Sequence, residues 1–225
     1  RQGETIEYYA DARTFNSFVR PHDKYGVVHI EGSYTVKQIS FSSQLDSEPD
    51  VLVVGDSITE GDTIRLITGG GFENRWAGLL SKKTKTSIWA QGGNTSTNIN
   101  NDLDTILSLF KPKKVIYAIG TNDSSYNTWL SNCQRFTEAF ENIDAEVIYT
   151  TSVLRPAYES EHAKMREWIK ASGHRYIDFC SAMSVDGLCI TNKDLFLSDK
   201  LHPTPAGHYQ MYKAVITSLP DLLTE

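Results

Sequence analysis

Short apolar runs alternate with amphipathic stretches along most of the chain. Residues 51–54, 87–90, 114–119, 146–150 and 175–179 are strand-sized and mostly apolar or β-branched. Between and after them, residues 74–81, 97–110, 129–142, 157–172 and 205–219 carry helical patterns; in the last, Tyr209, Tyr212, Ile216 and Leu219 form a stripe at helical spacing that is expected to be buried. Near-continuous apolar strands need cover on both faces, and strand–helix alternation supplies it through right-handed crossovers. The pattern predicts an α/β chain, a three-layer α/β/α sandwich around a five-stranded, mostly parallel sheet.

The pattern changes near Pro49. Residues 26–31 (GVVHIE) and 34–42 (YTVKQISFS) are rich in β-branched and aromatic residues and flank Gly32-Ser33, a hairpin signal. Tyr8, Tyr9, Phe15 and Phe18 precede them. Residues 1–48 therefore read as a small β-rich N-terminal segment, and residues 49–225 as the main domain. The segment fits either an accessory β lobe, whole or truncated, or an arm packed on the main domain.

Composition changes this picture little. A chain of 225 residues with 40% hydrophobic and 22% charged residues can build a sizeable core. A net charge of −6 weighs against nucleic acid as the partner. No apolar run is long enough to span a membrane, and no signal peptide is visible. The chain opens at Arg1, which fits a processed product or an excised piece. Three cysteines, Cys133, Cys180 and Cys189, are not a disulfide framework. Cys180 and Cys189 either pair or stay as buried thiols. No CxxC or His/Cys cluster points to zinc, and no metal or organic cofactor is expected.

Functional groups in open α/β sheets collect on loops at the carboxyl ends of strands. Four segments here carry unusual polar residues. The first, after residues 51–54, reads Gly55-Asp56-Ser57-Ile58-Thr59-Glu60-Gly61. A serine just past a buried strand is a candidate nucleophile near backbone N–H groups, although serine is also a common helix cap. The second reads Gln91-Gly92-Gly93-Asn94-Thr95-Ser96, where glycine lets the backbone approach a ligand. The third, Gly120-Thr121-Asn122-Asp123, offers a side-chain amide. The fourth, Asp199-Lys200-Leu201-His202-Pro203-Thr204-Pro205, offers an imidazole with a carboxylate three residues before it. Thr204 caps the final helix and Pro205 suits its first turn. Asp56 and Asp123 read as turn partners for nearby N–H groups, and Glu60 as a solvated side chain.

Taken singly, each block has an ordinary structural explanation. Together and in this order, GDSITEG, QGGNTS, GTND and DKLHP resemble the SGNH (GDSL-type) hydrolase superfamily over roughly residues 51–218. The resemblance implies a flavodoxin-like sandwich, in agreement with the periodicity, and a serine esterase. It implies Ser57 as nucleophile, His202 as general base and Asp199 as its orienting carboxylate. It also implies an oxyanion hole from the Ser57 and Gly93 backbone N–H groups and the Asn122 amide. Gly92 is the alternative for the glycine.

The family spans lipases, thioesterases, phospholipases and carbohydrate esterases. The long forms GDSITEG and GTND resemble its carbohydrate esterase branches, and the β-rich N-terminal segment is similar to lobes that some sugar deacetylases carry. Tyr126, Trp129, Arg155 and Tyr158 are candidate wall residues, since aromatic faces suit sugar rings and arginine suits acids or carbonyls. Trp129 also fits a core position beside Leu130, Cys133 and Phe136, and Arg155 also fits a surface pair with Glu159. The expected substrate is an O-acetylated carbohydrate, which implies an extracellular or surface setting. Two other readings stand beside it: a lipid esterase or thioesterase, with Gly69-Gly70-Gly71 marking a mobile loop at the site edge, and a catalytically silent carbohydrate-binding module.

Overall fold

Residues 18–19, 48–61, 74–153, 155–185, 190–191 and 193–223 are described by the computed structural model. The five expected strands form a parallel sheet: β2 (Val51–Gly55), β3 (Thr86–Ala90), β4 (Lys114–Ala118), β5 (Glu146–Thr150) and β6 (Tyr176–Ile177). Their order is β3-β2-β4-β5-β6, and a two-residue strand β1 (Phe18–Val19) lies parallel to β3 on its outer side. The hairpin expected at residues 26–42 lies outside the described residues.

Side chains alternate across each strand, and both sets are buried. Val51, Val53, Ile88, Ile116 and Ile148 face α2 (Trp76–Ser81) and α7 (Pro205–Ser218), where Trp76, Leu80, Met211 and Val215 meet them. The buried face of α7 runs through Gly207, His208, Met211 and Val215 and on to Leu219, not through the expected stripe: Tyr209 is exposed and Tyr212 and Ile216 are half-buried, because the small Gly207 lets that side of the helix approach the chain before it. Leu52, Val54, Val115, Tyr117, Val147 and Tyr149 face the other layer. That layer holds α3 (Ser96–Leu109), α4 (Tyr126–Glu141) and α5 (Glu159–Ala171), which contribute Ile99, Leu103, Phe136, Phe140 and Ile169. Two covered faces explain why the strands read as continuous apolar runs rather than alternating ones. Each fully buried aliphatic side chain contributes roughly 1.5–3 kcal/mol.

Element ends differ from the expected ones where a cap intervenes. β6 stops at Ile177 because the Asp178 carboxylate takes the Ser181 N–H at 3.1 Å and starts α6 (Phe179–Ala182). α4 starts at Tyr126, before Trp129, because the Ser125 hydroxyl caps it. A small antiparallel pair, β7 (Ser184–Val185) with β8 (Ile190–Thr191), follows α6. Two-residue strands carry too little periodicity to be seen in the sequence. Cys180 is buried at the start of α6, and Cys189 lies outside the described residues. Among the described residues, no helix is long and apolar enough to cross a membrane.

The register positions the site. Gly55 at the end of β2 pairs with Ala90 of β3 and Ala118 of β4. The three loops that follow therefore leave the sheet from one row, at its carboxyl edge.

Candidate functional site

The turn from β2 into α1 (Ser57–Glu60) is tight. A Cβ on Gly55 would lie 2.2 Å from the Thr59 hydroxyl oxygen, so a glycine is needed for α1 to fold back on the strand end. Asp56, not Ser57, caps this helix: its Oδ1 accepts the Ile58 N–H at 2.9 Å. Ser57 occupies the first helical position, and its hydroxyl is left to meet the His202 ring, with Oγ 3.0 Å from Nε2. Burial pushes the Asp56 carboxyl up to about 6, against the opposing pull of the Ile58 N–H, the His202 ring and Thr121.

His202 is delivered by a closed loop. Phe196 and Pro203 bridge in antiparallel fashion, the Leu197 N–H donates to the His202 carbonyl at 2.8 Å, and Lys200 turns the chain with φ 58°. Asp199 Oδ1 accepts the N–H groups of Leu201 and His202, both at 3.0 Å, while its Oδ2 lies 2.6 Å from His202 Nδ1. A carboxylate at Nδ1 assigns the ring proton there and leaves Nε2 to accept from the Ser57 hydroxyl. Partial burial raises the Asp199 carboxyl, but the His202 ring and the two backbone N–H groups outweigh it and hold the group below its ordinary range.

The α7 helix fixes this loop from behind. Thr204 Oγ1 caps it by accepting the Gly207 N–H at 3.2 Å, and the Thr204 N–H donates to the Leu195 carbonyl at 2.9 Å. A Cβ on Gly207 would lie 2.2 Å from that same carbonyl, so glycine allows the close approach. One turn into α7, buried His208 accepts the Trp76 N–H at its Nδ1, 3.3 Å away.

The other two loops converge on the same edge. Asn94, 4% exposed, donates its side-chain amide to the Gly55 carbonyl at 3.2 Å, which ties the second loop to the end of β2. Thr95 caps α3 in a reciprocal pair with Asn98. The Gly92 N–H donates to Glu60 Oε2 at 2.6 Å, and Gly93 follows with φ 82°. Asn122 Nδ2 donates to the Asn94 carbonyl at 3.1 Å, and its Oδ1 accepts from Arg155 Nη1 at 2.7 Å. Asp123 takes the Ser96 N–H and hydroxyl, the hydroxyl at 2.5 Å, and so pins the start of α3 to the loop after β4. Burial raises its carboxyl, opposed by the Ser96 bonds.

Three readings are corrected. Trp129 is 1% exposed, donates its indole N–H to the Ile119 carbonyl at 3.1 Å and packs edge-on against Trp168; it is core and has no face for a ligand. Glu60 is not solvated: it is 6% exposed, holds Gly92, and its own carbonyl accepts from Arg75 at 2.5 Å. Arg155 is paired with Asn122 and the Thr121 carbonyl rather than with Glu159, which bonds Arg166 instead. The Arg155 guanidinium lies over the Tyr158 ring, 4.7 Å from its centroid. Tyr126 is half-buried, stacked on Trp129, with its N–H on Glu161 at 2.9 Å. The Gly69–Gly71 run lies outside the described residues. Among the described residues no cluster of three or more His, Cys, Asp or Glu side chains is arranged to hold a metal ion.

Glu60 and Asn94 were missed as positioning groups because their partners are backbone atoms of distant segments, which no local spacing reveals. The only sequence signal was their place inside blocks already singled out.

The GDSL-like lipase/acylhydrolase family model matches residues 53–210. No curated protein matches the chain by sequence. Among solved structures, the chain is similar to TesA with a TM-score of 0.63 and 20% identity, over 77% of this chain and 99% of that one. A GDSL-like lipase from Bacteroides thetaiotaomicron gives a TM-score of 0.60 and 17% identity, over 81% and 92%. An acetylxylan esterase from Geobacillus stearothermophilus gives 0.60 and 15%, over 77% and 94%. At such identities the structures share the fold, a sheet flanked by helices on both faces. The family match takes in all four polar segments and more than half of the chain, which therefore belongs to the GDSL-like lipase/acylhydrolase family of ester hydrolases.

Proposed function

We propose that the chain is a serine esterase that removes O-acyl groups, O-acetyl groups in particular, from a carbohydrate through an acyl-enzyme on Ser57. The observation that carries the reading is the continuous relay from Asp199 to His202 at 2.6 Å and from His202 to Ser57 at 3.0 Å. His202 Nε2 takes the hydroxyl proton as Ser57 Oγ attacks the ester carbonyl, and Asp199 stabilises the imidazolium that forms. The Ser57 and Gly93 backbone N–H groups and the second hydrogen of Asn122 Nδ2 receive the oxyanion. His202 then passes its proton to the departing sugar hydroxyl. Water, deprotonated by the same ring, releases the acid and restores Ser57. Protein groups and water complete every step.

The carbohydrate half of the reading rests on the wall. Half-buried Arg155, bonded to Asn122, and half-buried Tyr158 beneath its guanidinium give a polar, aromatic surface, better suited to a hydroxylated acceptor than to an acyl chain, and half-buried Tyr126 at the start of α4 is proposed to extend it. An acetylxylan esterase with the same fold is consistent with it. A carbohydrate substrate in turn favours an extracellular or surface setting.

Two assays test the halves separately. Hydrolysis of 4-nitrophenyl acetate and labelling by a fluorophosphonate are both expected to vanish in Ser57→Ala; labelling that survives assigns the nucleophile elsewhere. Acyl release is expected from acetylated glycans in preference to fatty esters. Preference for long-chain fatty esters would overturn the carbohydrate half and leave the serine chemistry standing.

A further inference from the structure

We infer that Arg155 is a positioning residue of the oxyanion hole, acting through the orientation of the Asn122 side chain. The inference rests on the reading of Asn122 as an oxyanion donor. A carboxamide is nearly symmetric in shape, and a flip exchanges its oxygen for its NH₂. Flipped, Asn122 would turn a carbonyl dipole toward the developing oxyanion and oppose the reaction.

Two contacts select the productive orientation. Asn122 Nδ2 donates to the Asn94 carbonyl at 3.1 Å, and Oδ1 accepts from Arg155 Nη1 at 2.7 Å. The second contact is charge-assisted, and a guanidinium can only donate, so it accepts no flipped state: an NH₂ in place of Oδ1 would face another donor.

The guanidinium is itself held. Nη1 also donates to the Thr121 carbonyl at 3.2 Å, the residue just before Asn122, and the Tyr158 ring lies 4.7 Å from Cζ. Glu159, the carboxylate that helical spacing offers to Arg155, is engaged by Arg166. Arg155 reaches from the loop after β5 to the loop after β4, across neighbouring strands paired at Tyr117 and Tyr149. Both bonds leave one nitrogen, Nη1, while the guanidinium lies over the Tyr158 ring, a contact of the planar group that a lysine ammonium does not reproduce.

A residue that merely gripped substrate would act differently. On 4-nitrophenyl acetate, which is small and uncharged, loss of a substrate grip leaves kcat unchanged. Loss of a positioning contact lowers kcat and leaves KM close to wild type. The experiment measures kcat and KM on this ester for Arg155→Met, Arg155→Lys, Asn122→Ala and the Arg155→Met/Asn122→Ala pair, with folding checked by circular dichroism and thermal melting.

Arg155→Met is expected to lose roughly 10- to 100-fold in kcat, part of the 100- to 1000-fold attached to a whole oxyanion donor. In the Asn122→Ala background the same change is expected to cost less than about twofold, because the group it orients is gone. Arg155→Lys, which can still donate to Asn122 but lacks the planar group over Tyr158, is expected to recover part of kcat, and it carries the test if the methionine variant fails to fold: full wild-type kcat for it overturns the role of the guanidinium. Unchanged kcat in folded Arg155→Met, a loss confined to KM, or a loss that multiplies with Asn122→Ala overturns the inference. Near-normal turnover in Asn122→Ala instead overturns the oxyanion reading on which it stands, and is told apart by that single variant.

Discussion

Glu60 and Gly92, 32 positions apart, are joined by a 2.6 Å hydrogen bond from the glycine N–H to the buried carboxylate. The bond commits the Gly92 N–H to the protein, which supports Gly93, at φ 82°, as the glycine proposed to donate to the oxyanion. A Cβ on Gly93 meets nothing within 4 Å, so its surroundings are open to a ligand. Gly92 is exposed, so in Glu60→Ala water can take the place of the carboxylate at its N–H, and the cost is the net worth of one hydrogen bond to a charged group, about 1.5 kcal/mol. Urea denaturation is expected to read that loss, and turnover of 4-nitrophenyl acetate to fall roughly tenfold as the Gly93 donor loosens, a fraction of the whole-donor effect. Glu60→Gln, which still presents an oxygen to Gly92, is expected to lie between the two. Wild-type turnover in a folded Glu60→Ala would detach this carboxylate from the site.

Asp199 holds His202 through both its backbone and its ring, so its removal disturbs tautomer and loop together. Asp199→Asn is expected to lower kcat by about 10²- to 10⁴-fold, the upper end being the loss seen when a deeply buried triad carboxylate is replaced. Asp199 is 45% exposed, so water can replace part of its effect and the lower end is favoured. Because its carboxyl sits below the ordinary range, it stays ionised through mildly acid solution. A kcat within threefold of wild type would mean that His202 keeps its orientation without it.

The sheet and the four polar segments were legible because each left a local trace. Val51 to Val54 are buried on both faces and so read as an unbroken apolar run, and Thr204-Pro205 marks a helix start by cap and ring. The contacts that give the segments their geometry left none. Glu60 with Gly92, Asn94 with Gly55 and Arg155 with Asn122 are pairings of polar groups across strands, set by sheet register. Helical spacing offered Glu159 to Arg155, yet tertiary packing gave Glu159 to Arg166. Trp129 illustrates the converse: an aromatic near a catalytic loop has the same sequence appearance whether it lines a site or fills the core, and only its bond to the Ile119 carbonyl decides.

Gly207 sets the distance between α7 and the chain that leads into the His202 loop. Gly207→Ala would place a methyl group 2.2 Å from the Leu195 carbonyl oxygen and 2.9 Å from Met183 and Pro203 atoms. Backbone does not yield as a side chain tip does, so the helix must move. Overpacking of this kind costs about 1–3 kcal/mol. The expected outcome is a lower melting temperature together with a lower kcat, because the displaced helix carries the loop that aims His202 at Ser57. A variant that melts early but keeps full kcat would show that the loop is held independently of α7.

His208 makes the stability of the fold depend on pH. Burial, with the charges of Arg75 and His202 adding to it, pushes its pKa down from an ordinary 6.5 to about 3. The neutral ring is the form that accepts the Trp76 N–H, and the unfolded chain takes up the proton first. The stability it supports is complete above pH 6.5 and is lost as pH falls from there toward 3. Buried His162, also shifted down by burial, adds to the loss. Asp56 opposes it: with its pKa raised to about 6, its neutral form favours the fold at low pH, and that contribution is lost as pH rises through 6. The wild-type profile is therefore a partial cancellation, and a variant is needed to separate the terms. His208→Asn keeps an oxygen for the Trp76 N–H and does not titrate. It is expected to be less stable than wild type at pH 7, with the gap narrowing by about 2 kcal/mol at pH 5, at roughly 1.4 kcal/mol per pH unit below 6.5. Urea denaturation at both pH values measures the gap, and parallel profiles for the two proteins would remove His208 from the acid response.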